Sequence, residues 1–555
     1  MFTVDKFNHK FKIQKSHFST DERELYACLN IKTDVSTIFI DPRHVGLNAL
    51  FKLLRLSYND VLNNQVALQD IKTEYEYCYN HFLTVCERKL PYFYLFYKHQ
   101  KDVLFFSSHR KVSQSSMEQG LGKTITAISD SLIHDFKTTV IITTSTSKWN
   151  WLSDLCDIGK QESEIHWGFD VKDFTVLDSK KSVHSNTEKY ILVNYDMLEK
   201  HHQFIVNKKP QHIIIDECHK IKNKDSKRTK RVIDICRKTN AKISLLSGTP
   251  SPNKTVDYYT YLNIANHPYG RNYYQFLREF CVTVKTPYGT TIVGAKNTDK
   301  LNASIANFMV RKIKARCLDL PEKNYIKTVF ELNDYKEEYD KVYKEFIKNQ
   351  NLKNKNGGEV AIHSLNRIVA QAKLIQTYEL IDSMIEDETI NIVDGKEVCT
   401  PKKIAIYTTY KNCIDALMEK YKGKAVKIDG SVDSKDRMKV VNQFKNDNNV
   451  QIFIGQTEAA AEALNLTWCS DLIILNFPFT QNQLDQITDR FHRIGQKNSL
   501  NVYMTMCKNT IDEQLYKLMT HKYKDTSHLV DGRPMEIQTS DINISTLLEE
   551  LLKAA

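Results

Sequence analysis

Short runs of mostly apolar, β-branched residues recur along this chain, and each run ends in small, polar or acidic residues. In the first half they lie at residues 139–144, 190–194, 212–216 and 243–247, and in the second half at residues 403–407, 425–428, 450–454 and 472–476. Runs that are apolar throughout are typical of strands covered on both faces. Helical stretches such as residues 123–134 separate the runs, and this alternation predicts parallel sheets with helices on both sides. The two groups of runs therefore predict two α/β lobes.

Length, composition and charge limit the class of protein. The 555 residues suffice for several buried cores, since a domain holds roughly 150 residues. No run approaches the roughly 20 apolar residues of a membrane span, and the first residues lack the basic-then-apolar order of a secretory signal. We therefore expect a cytoplasmic protein, in a nucleoid or a host-cell cytoplasm, that is neither secreted nor bound to a membrane. The net charge of +11 favours encounters with polyanions.

Residues 120–124, Gly-Leu-Gly-Lys-Thr, precede a predicted helix. Backbone N–H groups of such a loop, together with the helix N-terminus, can cradle phosphate oxygens. Lys123 is then placed to neutralise the β- and γ-phosphates, and the Thr124 hydroxyl to hold magnesium. A turn before a helix is the alternative, since Met117 stands where the general pattern has its first Gly. The predicted nucleotide-binding residues of this loop are Glu118, Gln119, Gly120, Leu121, Gly122, Lys123 and Thr124.

Two carboxylates, Asp216 and Glu217, follow the apolar run at residues 213–215. They come at the carboxyl end of a predicted strand, where ligands bind in α/β folds. Asp216 is expected to hold magnesium through water, and Glu217 to polarise the attacking water. An ordinary strand end with a helix-capping acid is the alternative.

Two further segments complete the set of candidates. Ser247, Gly248 and Thr249 follow a third apolar run, and their hydroxyls could sense the γ-phosphate, although alone they indicate only a turn. Arg490 and Arg493 are three residues apart and so share one face of a predicted helix. Guanidinium groups from one lobe can reach a γ-phosphate held by the other, and such fingers contribute roughly 10³ to 10⁵ in rate. A basic helix face on the surface is the alternative.

Together these segments resemble superfamily-two helicases, and within them the Swi/Snf-type DNA-translocating ATPases, in a compact prokaryotic or viral form. Residues 95–100 are similar to the family's adenine-reading Q motif, with Gln100 in the reading position. Trp151 with Asp154 stands where the family has its Trp and acid, and residues 464–467 match motif V. The segment 489–496, Asp-Arg-Phe-His-Arg-Ile-Gly-Gln, is the most specific signature, and the resemblance covers roughly residues 90–525.

The resemblance implies an α/β fold of two RecA-like lobes with parallel sheets, helical insertions and a small N-terminal accessory domain. The implied domains are 1–86, accessory; 87–325, first lobe with a helical insertion after about residue 255; 326–400, helical linker; 401–525, second lobe; and 526–555, C-terminal tail. ATP and Mg²⁺ are the implied cofactors, with hydrolysis between the lobes. The implied catalytic residues are Lys123, Glu217, Arg490 and Arg493.

The same resemblance implies ATP-dependent translocation on duplex DNA that remodels DNA structures or displaces bound proteins. The implied contacts to DNA phosphates are Lys148, Trp151, Asn194, Tyr195, Thr457 and Asn465. Coupling between nucleotide and DNA is implied for Ser247, Gly248, Thr249 and Gln486. The expected partners are double-stranded or branched DNA and a DNA-bound protein such as a polymerase, with this protein acting as a monomer. The basic run at residues 220–231 has two interpretations: it either follows a phosphate backbone or forms a solvated helix face.

Departures from the family pattern keep two alternatives open. Met117 and Gln119 replace the usual Asp and Met, and Thr144 stands where Pro is common. Motif V has Ala460, Ala461 and Ala463 in place of glycines, which suggests a nucleic-acid-binding scaffold with a degraded ATPase. The Asp-Glu-Cys-His segment is shared across the superfamily, which leaves an RNA helicase as the other alternative, while the Arg-Ile-Gly-Gln ending argues for the DNA branch.

Overall fold

The computed structural model describes residues 2–5, 10–14, 32–33, 37–40, 65–158, 165–178, 188–248, 255–286, 289–350, 355–386, 388–393, 396–433, 436–457, 464–478 and 481–516. These residues divide into two units, with the boundary between Cys317 and Leu318. Each unit contains one large parallel sheet.

The N-terminal segment contributes a small antiparallel sheet. Its strands are β1 (Phe2–Asp5), β2 (Lys10–Gln14), β3 (Lys32–Thr33) and β4 (Thr37–Ile40), in the order β1-β2-β4-β3. Helix α1 (Gln65–Lys89) follows, and its Cys78, Phe82 and Cys86 side chains join the core of the first large sheet. The helix therefore continues through the boundary that the sequence predicts at 86/87.

Seven parallel strands form the large sheet of the first unit. They are β5 (Val112–Met117), β6 (Thr139–Thr143), β7 (Phe174–Leu177), β8 (Tyr190–Asn194), β9 (His212–Ile215), β10 (Lys242–Ser247) and β13 (Met309–Lys312), in the order β13-β5-β10-β9-β6-β8-β7. Strands β11 (Cys281–Thr286) and β12 (Gly289–Ala295) pair as a separate antiparallel hairpin. Ile141 and Ile214 pack on one face of the large sheet, whereas their neighbours Ile142 and Ile215 pack on the other. Because both faces are covered, the central strands are apolar at nearly every position.

Helices cover both faces of this sheet. Their bounds are α2 (Lys98–Ser108), α3 (Lys123–Ile133), α4 (Ser145–Leu155), α5 (Leu198–Asn207), α6 (Lys227–Thr239), α7 (Tyr258–Ile264), α8 (Tyr273–Phe280), α9 (Thr298–Ile305) and α10 (Lys314–Cys317). Helices α1 to α4 pack on one face, and α5 to α9 on the other. The parallel order brings the carboxyl ends of all seven strands to one edge, where the loops that precede α3 and follow β9 both lie.

The second unit repeats this plan with six parallel strands. They are β14 (Lys323–Phe330), β17 (Ile404–Thr408), β18 (Ala425–Ile428), β19 (Ile452–Gln456), β20 (Asp471–Ile474) and β21 (Leu500–Cys507), in the order β14-β21-β20-β17-β19-β18. Strands β15 (Glu388–Val393) and β16 (Lys396–Pro401) form a hairpin. The helices are α11 (Lys336–Gln350), α12 (Lys355–Ala372), α13 (Leu374–Ile385), α14 (Lys411–Lys420), α15 (Arg437–Asn446) and α16 (Gln481–Thr488).

The predicted α/β fold with two parallel sheets and helical insertions is confirmed. The exact domain limits stay a prediction, and two observations bear on them. Strand β14 pairs with β21 along its whole length, so the predicted limit at 325/326 would fall inside a strand of the second sheet. In the predicted linker 326–400, helix α12 places Ile362 and Leu365 in the core of that sheet. The predicted tail, 526–555, lies outside the described residues.

Within the described residues, no helix is both long enough and apolar enough to cross a membrane.

Candidate active site

The loop between β5 and α3 carries the predicted phosphate-binding residues. Gly120 and Gly122 adopt left-handed backbone conformations, with φ of 85° and 82°. The Leu121 side chain is fully buried, and its carbonyl oxygen accepts hydrogen bonds from His99 Nε2 at 3.0 Å and Gln100 Nε2 at 3.2 Å. Helix α2 thus anchors the loop at its middle, directly before the N-terminus of α3.

Gln100 is itself held in place by the start of its own helix. Its Oε1 accepts the backbone N–H of Tyr97 at 3.0 Å, while its Nε2 donates to Leu121. A glutamine amide has two N–H donors and two acceptor lone pairs. One of each therefore remains for a ligand.

We expect Gly122→Ala to weaken nucleotide binding. An added Cβ would lie 2.0 Å from Gln100 Nε2, and the φ of 82° strains any residue with a side chain. A left-handed L-residue costs roughly 1–2 kcal/mol, so leaving this loop conformation should reduce affinity by about tenfold or more. Fluorescent nucleotide titration measures the change.

Gly168→Ala is the matched control for that variant. Gly168 has a φ of 72°, but among the described residues, apart from its two chain neighbours, no atom lies within 4 Å of an added Cβ. It therefore carries the backbone strain without the clash, and nucleotide affinity should stay at the wild-type value. Equal affinities for Gly122→Ala and wild type would contradict the assignment of this loop.

Lys123 and the segment after β10 lie side by side. The Lys123 ammonium donates to the carbonyl oxygens of Met117 at 2.9 Å and Glu118 at 3.4 Å. A Cβ added to Gly248 would lie 3.3 Å from Lys123 Nζ and 2.8 Å from Gln119 Cγ. The absence of a side chain at Gly248 therefore makes room for the lysine, and two of the predicted segments meet here.

Asp216 follows β9 at the same edge of the sheet and is buried. Its Oδ2 accepts hydrogen bonds from the Trp151 indole N–H at 2.8 Å and from the Thr143 hydroxyl at 3.0 Å. Its Oδ1 accepts the backbone N–H of Glu217 at 2.9 Å. Burial, reinforced by the charge of Glu217, raises the pKa of Asp216, while the hydrogen bond from Trp151, the charge of Lys123 and the hydrogen bond from Thr143 oppose the rise.

Glu217 adopts a left-handed backbone conformation, with φ of 50°, which is uncommon for a residue with a side chain. Its side chain is 22% exposed, and its Oε2 lies 3.1 Å from Nδ1 of His219. The backbone of Glu217 thus turns directly after the buried Asp216, whose Oδ1 accepts the Glu217 N–H. One acid is therefore enclosed and the other is accessible to water.

The residues at this edge fit a magnesium ion that is shared with a nucleotide. Among the described residues, no group of three or more His, Cys, Asp or Glu side chains forms a metal cage. Mg²⁺ characteristically uses one or two protein oxygens together with waters and substrate phosphates. Asp216 and the half-buried Thr124 at the start of α3 supply such oxygens.

Four side chains predicted to contact DNA are buried inside the first unit. Lys148 is 2% exposed and donates to Leu177 O at 3.1 Å and Asn194 Oδ1 at 3.4 Å. Trp151 donates to Asp216, and the Tyr195 hydroxyl donates to the Asp216 carbonyl oxygen at 2.5 Å. The polar atoms of these side chains thus contact other groups of the unit. The DNA contact of Lys148, Trp151, Asn194 and Tyr195 stays a prediction.

The two DNA candidates of the second unit differ from each other. Thr457 is buried, and its Oγ1 accepts a hydrogen bond from Thr409 Oγ1 at 3.4 Å. Asn465 is half-buried, and its Oδ1 has no hydrogen-bond partner among the described residues. Asn465 remains a candidate contact.

The basic run at residues 220–231 is largely paired with acids of the same unit. Arg228 contacts Asp196 at 3.0 Å, Arg231 forms an ion pair with Glu199, and Lys224 contacts Asp225 at 2.9 Å. These pairs favour the solvated helix face over a phosphate track.

The two signature arginines lie just after α16 in the second unit. Arg490 is buried, and its carbonyl oxygen accepts the backbone N–H of Leu466 at 3.0 Å. Arg493 is half-buried, and its Nε donates to the Asp489 carbonyl oxygen at 3.0 Å. Gln486, also half-buried, lies one turn earlier on α16. Thr249, Ala460, Ala461 and Ala463 lie outside the described residues.

Family comparisons now identify the chain. A family model described as the SNF2-related domain matches residues 99–381, just over half of the 555 residues. The chain belongs to the SNF2 family. A second model, the helicase conserved C-terminal domain, matches residues 386–495. The predicted family is thereby confirmed, and the SNF2 and helicase C-terminal domains together are those of ATP-hydrolysing, helicase-like enzymes.

Individual SNF2 relatives are distant and longer than this chain. The human protein "DNA annealing helicase and endonuclease ZRANB3" is 24% identical over 463 residues, which cover 80% of this chain and 41% of that protein. The Caenorhabditis elegans protein "SWI/SNF-related matrix-associated actin-dependent regulator of chromatin subfamily A-like protein 1 homolog" is 24% identical over 340 residues. These cover 60% of this chain and 47% of that protein. The chain thus spans less than half the length of these curated relatives.

One solved SNF2 structure is also similar. The "Sulfolobus solfataricus SWI2/SNF2 ATPase core in complex with dsDNA" aligns with 21% identity and a TM-score of 0.36, covering 79% of this chain and 93% of that chain.

The structure adds residues to the candidate site that the sequence did not single out. His99 helps to anchor the loop, Thr143 bonds to Asp216, and His219 lies beside Glu217. A signal for Thr143 was present, because it ends a strand that pairs with β9, and polar residues at neighbouring strand ends meet at one edge. For His99, the only sequence feature that indicated a place in the site was its position directly before Gln100.

Proposed function

We propose that this SNF2 protein hydrolyses ATP and uses the energy to translocate on duplex DNA, remodelling DNA structures or displacing bound proteins. The observation that supports this most directly is the meeting of predicted segments within the first unit. Lys123 lies against Gly248, its charge acts on Asp216, and Glu217 adjoins Asp216. These groups are suited to bind a triphosphate and to activate water.

The loop and Lys123 bind the phosphates in this proposal. The carbonyl oxygens that Lys123 now contacts are neutral, whereas a phosphate oxygen adds the attraction between opposite charges to the hydrogen bond. Lys123 therefore exchanges these carbonyls for phosphate oxygens when a nucleotide binds. Gln100 uses its remaining donor and acceptor on adenine, which offers the N7 acceptor and the N6 donor.

Asp216 and Glu217 have different roles in this proposal. Bound Mg²⁺ would neutralise charge that develops on the β- and γ-phosphates. Asp216 and Thr124 would hold the ion, and the enclosed position of Asp216 keeps its carboxylate in one orientation. Glu217, which is accessible to solvent, orients a water molecule and accepts its proton. Arg493 and Arg490 are proposed to stabilise the charge of the transferring phosphoryl group.

Duplex or branched DNA is the proposed partner of this ATPase. The net charge of +11 favours a polyanion, and the name of the human relative, a DNA annealing helicase, associates that protein with DNA. Since four of the predicted DNA side chains are buried, we propose that backbone N–H groups and residues such as Asn465 make the phosphate contacts. A DNA-bound protein such as a polymerase is a proposed object of the motor.

We expect ATP hydrolysis to be slow without nucleic acid and to be stimulated by duplex DNA. The measurement compares phosphate release with duplex, forked, four-way-junction and single-stranded DNA and with single-stranded RNA. Displacement of streptavidin from biotinylated duplex then reports translocation. A preference for RNA would support the RNA helicase instead. Equal, unstimulated turnover in wild type and Glu217→Gln would support a scaffold without ATPase activity.

A further inference from the structure

Trp151 and Thr143 converge on a single oxygen of Asp216. The indole N–H of Trp151 lies 2.8 Å from Asp216 Oδ2, and the Thr143 hydroxyl lies 3.0 Å from the same atom. All three side chains are buried, with Trp151 at 3% and Thr143 at 0% exposure. Asp216 Oδ1 receives only the backbone N–H of Glu217 among the described contacts. The two side-chain donors thus occupy one oxygen and spare the other.

The fold determines this convergence. Strands β6 and β9 are parallel neighbours with Ile142 opposite Ile215, so Thr143 and Asp216 come next in line at the strand ends. Helix α4 follows β6 at once, and the Thr144 side chain caps it by accepting the Ser147 backbone N–H. Trp151 lies on the buried face of α4, which turns the indole toward the end of β9.

The two hydrogen-bond donors fix the orientation of the Asp216 carboxylate. An indole N–H is a donor only, so Trp151 has no alternative role toward a carboxylate. A buried indole N–H requires a partner, and here the partner is a residue of the proposed catalytic set. Two donors on Oδ2 fix the torsion of the carboxylate about its Cβ–Cγ bond. The direction of Oδ1 is then fixed as well.

We propose that Trp151 and Thr143 are positioning residues that hold the Asp216 carboxylate in the orientation required for the magnesium–nucleotide complex. The inference rests on the proposed function, in which Asp216 holds Mg²⁺. It replaces the DNA contact that the sequence predicted for Trp151. It also gives α4 a direct link to the catalytic edge of the sheet.

The test measures how strongly Mg²⁺ improves nucleotide binding. Fluorescent N-methylanthraniloyl-ADP is titrated against the full chain in excess Mg²⁺ and in EDTA, and the ratio of the two Kd values is compared. Loss of a hydrogen bond to a metal-binding carboxylate typically costs 10- to 100-fold in metal affinity. We expect Trp151→Phe to reduce the Mg²⁺-dependent gain by about tenfold or more, with an unchanged Kd in EDTA. Thr143→Val, which keeps the side-chain shape, should change the gain in the same direction.

Trp149→Phe is the matched control. Trp149 lies two residues earlier on α4, about 200° around the helix from Trp151, with the Lys148 ammonium 5.6 Å from its ring centroid. Its substitution removes an indole N–H from the same helix and should leave the Mg²⁺-dependent gain at the wild-type value. If Trp151→Phe does not fold, as judged by its thermal transition, Thr143→Val decides.

Four results would overturn the proposal. A Trp151→Phe protein whose affinity falls equally in Mg²⁺ and in EDTA would show a structural role only. A variant that loses duplex DNA affinity with an unchanged Mg²⁺-dependent gain would restore the DNA contact. If wild type binds no better with Mg²⁺ than in EDTA, the proposed role of Asp216 fails and the positioning role fails with it. A normal wild-type gain that both variants retain would instead refute the positioning role alone.

Discussion

Glu217→Gln should reduce ATP hydrolysis by about 10²- to 10⁴-fold while leaving ATP affinity near the wild-type value. The substitution preserves size and removes only the group that accepts a proton from water. The hydrogen bonds from Lys123 to the Met117 carbonyl oxygen and from Trp151 and Thr143 to Asp216 Oδ2 are made by groups other than the Glu217 side chain, so binding should persist. Phosphate release in a single-turnover experiment, beside fluorescent ATP titration, measures both quantities.

Glu199→Gln provides the matched control for this result. Glu199 is an exposed acid of the same unit, and its carboxylate forms an ion pair with Arg231. It undergoes the same change of charge, so its hydrolysis rate should remain unchanged. A Glu217→Gln protein that hydrolyses ATP at the wild-type rate would remove Glu217 from the catalytic set and would favour the scaffold alternative.

Local patterns predicted eight of the thirteen strands in the two large sheets. The strands that were missed show what such patterns do not detect. Strands β6, β8, β9 and β10 were predicted because each is an apolar run. Strand β5, with the sequence Val-Ser-Gln-Ser-Ser-Met, is buried between β10 and β13 although it is mostly polar. Its place depends on pairing with strands more than 100 residues away, which no local pattern reports.

The second sheet shows the same limit at its edge. Strand β14 is mostly exposed, and it pairs with β21 at a separation of 177 residues, from Lys323 to Leu500. The strand carries Tyr325, Ile326 and Val329, but these side chains are exposed, so only the pairing with β21 assigns the strand to the second sheet. The predicted domain limit was therefore set inside it.

At the site, the sequence predicted which segments matter better than it predicted where their side chains point. The loop residues and Lys123 follow from a motif whose function depends on backbone geometry, and the structure places Gly248 beside them. Trp151 and Tyr195 were expected to face DNA, but both face Asp216. Packing on the sheet decides which face of a helix or turn is buried. Predicting that face therefore requires the order of the strands, which the local sequence does not contain.

Arg493→Ala should leave ATP binding intact and reduce hydrolysis by about 10³- to 10⁵-fold. A guanidinium that stabilises the transferring phosphoryl group acts mainly in the transition state, so its loss affects rate more than affinity. Arg493 is a cleaner target than Arg490, because Arg490 is buried and its substitution would disturb the core of the second unit. Arg493 is half-buried, which limits the structural cost of removing it.

Two control variants define the role of the Arg493 side chain. Arg493→Lys retains a positive charge but lacks the planar fork of donors, so it should recover little of the lost rate. Arg367→Ala removes an exposed arginine from α12 of the same unit and should hydrolyse ATP at the wild-type rate. The measurement is phosphate release with saturating duplex DNA, beside nucleotide titration for each variant. Wild-type turnover in Arg493→Ala would mean that the signature arginine takes no part in the chemistry, and the ATP-driven motor would then need another source of charge stabilisation at the γ-phosphate.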